Sequence, residues 1–278
     1  MAFSANPEDY TNRGNIITPL KDRIDSQIIT HYPKELKIGE DITRQEAWQD
    51  RGNSIKIHIP ELFRQVIEKA AFEARESEYV DQKSGVSTRM TITALEQVVS
   101  SAERRAILNG EKETTVRIAD LYHMVPAITG KIELVYEGEQ EGALSVAKHI
   151  LGKAISKTFK MYLPDPNKKK EDQKSVYKTI TDWFADGNEI NISDTLSNKE
   201  YEKALKKVDG LEKLIKNHAE NAPKAEKYIW MDFALEALHQ NSMLSKQDLD
   251  DQTLYSDMLG SMFSSLGDIG EEGFDEFE

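Results

Sequence analysis

Between Pro60 and Phe159 the apolar residues recur three and four positions apart, in runs too long for strands. Leu62, Phe63, Val66, Ile67, Ala70 and Ala71 share one face of a helix expected over 60–78, with Pro60 suited to its first turn. After a turn-like segment from Val80 to Arg89, a second helix is marked by Ile92, Leu95, Val98, Val99, Ala102, Ala106 and Leu108. It stops at Asn109-Gly110. A third is expected from Ile118 to Ile128, and a fourth over 142–161 with Leu144, Ala147, Ile150, Leu151, Ala154, Ile155 and Phe159 turned inward. Such a chain is mainly α-helical.

The flanks read differently. Residues 1–33 suggest a strand, a loop, a short helix and a second strand over 24–32, closed by Pro33. Thr43–Asp50 is expected to be helical, and Gly52-Asn53 to break the chain. Prolines 164 and 166, followed by Lys168, Lys169 and Lys170, predict an exposed linker over 164–173 and a boundary there. Beyond it, helices are expected over Ser175–Ala185, Lys199–His218 and Pro223–Gln240. The last thirty residues mix Gly, Ser and acids, which predicts disorder with a short helix near Leu254–Phe263.

The formal charge is −13, but ten acids and no Lys or Arg lie within 247–278, so the remainder carries about −3. Neither part supplies the basic stripe that nucleic-acid binding requires, so no nucleic-acid partner is expected. The absence of cysteine excludes disulfides and thiolate metal sites and is compatible with a reducing compartment. No apolar run is long enough to span a bilayer, and the N-terminal residues do not resemble a signal peptide. A cytoplasmic protein with no membrane partner is the expectation.

Two strings carry the chemistry. Phe3-Ser-Ala-Asn-Pro-Glu-Asp-Tyr is followed by Ile17-Thr-Pro-Leu-Lys-Asp-Arg-Ile, and Ser84-Gly-Val-Ser-Thr-Arg-Met-Thr-Ile opens the second long helix. Together they resemble the C-terminal part of an AAA+ ATPase of the magnesium-chelatase/MoxR type, where a strand ending in Ala-Asn-Pro precedes a helix closing in Leu-x-Asp-Arg-Phe. The resemblance implies that Asn6 is the sensor-1 amide orienting the attacking water, and that Arg23 is the arginine finger offered to a neighbouring subunit's ATP. It implies that Arg89 is the sensor-2 arginine on the bound nucleotide. Ile24 stands where many relatives have Phe. Phosphoryl transfer spreads negative charge over oxygens, so guanidinium groups at these places suit it. Arg89 is notable in itself, because a cation in a first helical turn opposes the macrodipole and calls for a compensating anion, a phosphate or a carboxylate such as Glu96, unless the guanidinium is simply solvated. Ala102-Glu-Arg-Arg-Ala, Val116-Arg-Ile-Ala-Asp-Leu and Pro126-Ala-Ile resemble the remaining lid helices, as packing elements; Asp120 lies in the turn before the last.

No Gly-x-x-x-x-Gly-Lys-Ser/Thr and no strand ending in Asp-Glu occurs, so Walker A and B are missing and the chain alone is expected not to hydrolyse ATP. The resemblance implies ATP and Mg2+ as cofactors of an intact parent, AAA+ subunits in a ring, with a hexamer the expected state, and a von Willebrand A-type partner. A fragment or truncated product is the expectation. The corresponding division is a remnant of the AAA+ core over 1–52, the helical lid over 53–133, a helical C-terminal region over 134–245 and an acidic tail over 246–278. The six histidines show no ligand spacing, so no metal site is expected. The rival reading is a non-catalytic helical adaptor that binds partners through residues 134–278.

Overall fold

The computed structural model describes residues 22–258 except 24, 27, 53, 54, 169, 170, 220, 221, 250 and 251, and for 171–175 and 249 the backbone alone. The chain divides between Pro33 and Lys34 into two units. In the first, Asp22 and Arg23 lie in a turn, and residues 28–33 form no ladder with any described strand. Ile28 and Ile29 are exposed there. The strand expected over 24–32 is therefore not formed across its described residues, since a strand without a neighbour has no ladder to hold it.

The second unit is mainly helical. It opens with α1 (Leu36–Glu46), which starts about two turns earlier than expected, because the face it buries consists of Gly39, Glu40 and Thr43, with Ala47 following. That face has no apolar period to read. A short strand β1 (Lys56–His58) precedes α2 (Glu61–Glu76), whose buried stripe is the expected one extended to Ala74. Helix α3 (Arg89–Leu108) buries Met90, Ala94, Leu95, Val98, Val99, Ala102 and Ala106 and ends at Asn109, with Gly110 at φ +63°. Strand β2 (Glu113–Thr115) returns to pair parallel with β1, Ile57 opposite Thr114.

The expected third helix is two, α4 (Ile118–Tyr122) and α5 (Val125–Thr129). Pro126 has no N–H to bond back to Tyr122 and forces the break. After α6 (Tyr136–Glu141) and Gly142 at φ +86° comes α7 (Ala143–Tyr162). Its buried face begins at Val146, while Leu144, expected inward, is exposed. Then follow α8 (Glu171–Ala185), β3 (Ile190–Ser193), α9 (Asn198–Leu205) and α10 (Leu211–His218). Gly210, at φ +87°, splits the single helix expected over 199–218. A 3-10 turn, Lys224–Glu226, leads into α11 (Lys227–Gln240).

Every residue of α11 from Ile229 to Leu238 is buried, so this helix is the centre of the unit. Phe233 meets Phe63 of α2 and Phe159 of α7 at ring separations of 6.4 and 6.0 Å. One core thus runs from Ala47 to Tyr255 and crosses the boundaries expected at 52/53, 133/134 and 245/246. The segment 164–168 is no boundary either. Tyr177 of α8 donates to the Pro164 carbonyl and packs on Phe159 at 6.1 Å.

The acidic stretch also departs from expectation at its start. Strands β4 (Ser245–Leu249) and β5 (Gln252–Ser256) form an antiparallel hairpin, and β5 pairs with β3 to give the order β3-β5-β4. Tyr255 and Lys246 anchor this sheet by reaching the α11 carboxylate Glu236, a long-range contact that local composition does not reveal. Residues 259–278 lie outside the described part.

Candidate functional site

Arg89 is the first residue of α3 and is exposed. Val86 and Met90, both fully buried, pin the chain on either side of it, so the backbone fixes where the guanidinium emerges. Several hydrogen bonds hold the turn leading in. Asp81 accepts from the Lys83 amide at 2.8 Å and the Ser84 hydroxyl at 3.2 Å, Gly85 takes φ +67°, and Arg75 Nε donates to the Val86 carbonyl at 3.2 Å. No acid lies in the first turn of α3, and among the described residues Arg89 has no carboxylate partner. Glu96, considered above as its compensating charge, accepts instead from the Trp48 amide at 3.0 Å.

Just inside this turn lies a buried polar chain. Thr91 bonds to Thr43 of α1 at 2.7 Å, and the Thr43 hydroxyl donates to Glu68 of α2. Burial pushes the Glu68 carboxyl above its ordinary range, with the hydrogen bonds from Thr43 and Thr91 opposing the shift only in part. The chain ties α1, α2 and α3 together behind Arg89 without supplying it a counter-ion.

Of the other two expected site residues, Arg23 is exposed in the first unit, and Asn6 lies outside the described residues. Asp120, expected as a turn residue, is almost wholly buried. It accepts from Ser101 at 2.8 Å, from Arg105 Nη2 at 2.6 Å and from the Arg117 amide at 2.9 Å, closing the start of α4.

A larger polar cluster among the described residues gathers around α11 and matches none of the sequence motifs. Glu236 is fully buried, and both its oxygens are saturated. Oε1 accepts from Tyr122 at 2.6 Å and Gln240 at 2.8 Å, and Oε2 from Tyr255 at 2.6 Å and Lys246 at 3.0 Å. Burial works against its charge, but Lys246 and these donors prevail and hold its pKa at about 2. One turn earlier, Asp232 accepts from Tyr201 at 2.8 Å, and burial raises its pKa to about 6. Arg117 stacks on the Tyr201 ring at 4.1 Å and donates to the Leu196 carbonyl at 2.6 Å and Asn198 Oδ1 at 2.7 Å. Burial, then the nearby Arg105 charge, lowers its pKa to about 10. A signal did exist in the sequence: Asp232, Glu236 and Gln240 recur every fourth residue on a helix whose stretch from Ile229 to Leu238 is otherwise apolar. Such a stripe must find partners inside.

These features define a mainly α-helical protein with a three-stranded antiparallel sheet and one exposed arginine at a helix start. No protein-family model, curated protein or solved structure matches the chain. Among the described residues no helix is long and apolar enough to cross a membrane, and no group of three or more His, Cys, Asp or Glu could hold a metal ion.

Proposed function

We propose that this chain is the C-terminal portion of an AAA+ ATPase of the magnesium-chelatase/MoxR type. It contributes sensor and arginine-finger residues to ATP-driven remodelling or metal insertion in a cytoplasmic ring, with a hexamer as the assembly and a von Willebrand A-type protein as partner. The observation that carries this reading is Arg89, fixed between two buried anchors in a helical turn that contains no acid and offers it no carboxylate. A phosphate is the ligand that such a turn accommodates, because amide dipoles and guanidinium both favour an anion there.

The residues fit ATP in part. Arg89 would meet the phosphates in cis, Asn6 would orient water, and Arg23 would reach a neighbour's nucleotide, each stabilising charge that grows on the transferring oxygens. Under this reading Mg2+ is held by the P-loop-bearing part of the assembly. Hydrolysis is therefore expected only when a P-loop is supplied. Steady-state ATPase assays of the chain alone, and of the chain combined with a P-loop-bearing polypeptide, test this. We expect background turnover in the first case, and in the second a turnover that Arg23→Ala lowers about a thousandfold. Turnover by the chain alone, or indifference to Arg23→Ala, would refute the reading.

A further inference from the structure

The β1–β2 ladder has two outer edges, and among the described residues only one is covered. In a parallel pair the N–H and C=O of one residue point the same way, and successive residues alternate. Lys56 N donates to Lys112 O at 2.8 Å and Val116 N to His58 O at 3.0 Å, so Lys56 and His58 face β2 and Ile57 faces away. On the far side of β2, Arg105 donates to the Thr115 carbonyl at 3.0 Å and Asn198 Nδ2 to the Glu113 carbonyl at 3.2 Å. On the far side of β1, the backbone of Ile57 meets no donor or acceptor among the described residues. The same holds for the flanking outward positions, Ile55 and Ile59.

That bare edge is one wall of a cleft of about 530 Å3, closed by Gln49–Arg51, Arg64 and Glu103. Arg51 is committed to Glu103 at 2.9 Å. Among the described residues the Arg64 guanidinium is not committed to any acid: it donates to Gln49 Oε1 at 2.7 Å, and no carboxylate lies within ion-pair distance. Burial, then the neighbouring Arg44 charge, lowers the pKa of this guanidinium, and Glu61 and Glu40 offset that only partly. It is a cation short of negative charge. Lys56, exposed on the strand itself, has no ion pair among the described residues either.

We propose that the open edge of β1 takes up an extended acidic segment of a partner polypeptide as a third strand, its backbone bonded to Ile57 and a carboxylate seated on Arg64. Strand addition supplies affinity through main-chain bonds, and the flanking charges supply selectivity. Asp50 and Glu103 stand in the same cleft, which disfavours a continuous polyanion such as nucleic acid or an anionic membrane. The inference is independent of the nucleotide reading.

The test uses the full-length, isotope-labelled chain and two synthetic peptides, one alternating glutamate and valine, the other lysine and valine. We expect the glutamate peptide to bind and to slow hydrogen exchange at the Ile57 amide, and the lysine peptide to bind at least about tenfold more weakly. Arg64→Glu should weaken the glutamate peptide by about tenfold or more, and Arg64→Gln by less. Failure of the glutamate peptide to bind, equal binding of both peptides, or an unchanged Ile57 exchange rate at saturation would each overturn the proposal. The exchange measurement on the unmutated chain decides the matter even if Arg64→Glu folds poorly.

Discussion

Asp232 and Glu236 stand one turn apart on α11, both buried, with their pKa values pushed in opposite directions. For Asp232 the folded value of about 6 exceeds the ordinary 3.8, so the folded state holds the proton more tightly. Its contribution is fullest below pH 4 and is lost as pH rises through 6. A separation of about two pKa units corresponds to ~3 kcal/mol. Urea unfolding across this window should show the unmutated protein losing stability relative to Asp232→Asn as pH rises from 4 to 7. A pH-independent difference between the two would contradict the assignment. Glu236 behaves oppositely, since a folded value of about 2 below the ordinary 4.5 means stability present above pH 4.5 and lost on acidification. Its cation is Lys246, itself buried, at 3.0 Å. Lys246→Met should therefore cost about 3–5 kcal/mol at neutral pH by leaving a buried carboxylate without its ion partner. A loss below about 1 kcal/mol would show that the three neutral donors suffice.

At the scale of elements, the long amphipathic helices were legible and the joints between them were not. Helices α2, α3 and α7 announce themselves because each buries a stripe of Leu, Ile, Val, Phe and Ala at helical spacing. Helix α1 hides, since its inner face is Gly39, Glu40 and Thr43, residues that read as polar or neutral along the chain. The β3-β5-β4 sheet hides for another reason. Strand β3 is separated from the β4–β5 hairpin by the mostly helical stretch 194–244, and β4 carries Lys246, Gln247 and Asp248, which local reading assigns to an acidic tail. Gly210 is the clearest joint. It takes φ +87° between α9 and α10, and a Cβ there would lie 3.0 Å from the Thr179 Cβ of α8. Gly210→Ala should lower stability by about 1–2 kcal/mol through the left-handed backbone alone. Thermal unfolding checks this, and an unchanged midpoint would mean that the turn relaxes to another conformation.

For the whole molecule, the division into lid and separate C-terminal region gives way to one core. Tyr122 and Ile118 reach Glu236 and Asp232 on α11, and His58 reaches Glu226 at 2.7 Å, so residues read as lid are bonded to residues read as extension. Such pairings join positions more than a hundred residues apart and leave no local trace. The candidate site was legible only where a motif met a physical oddity. Arg89 combined a recognisable string with a cation at the wrong end of a helix dipole, whereas Arg23 and Asn6 rest on the string alone. Under the proposed function Arg89 binds a phosphate, and the direct measurement is calorimetric titration of ATP and ADP into the chain combined with a P-loop-bearing polypeptide, with Arg89 and with Arg89→Ala. The account predicts at least about tenfold weaker ATP binding in the variant, with ADP less affected. Equal ATP affinities in the two proteins would contradict it.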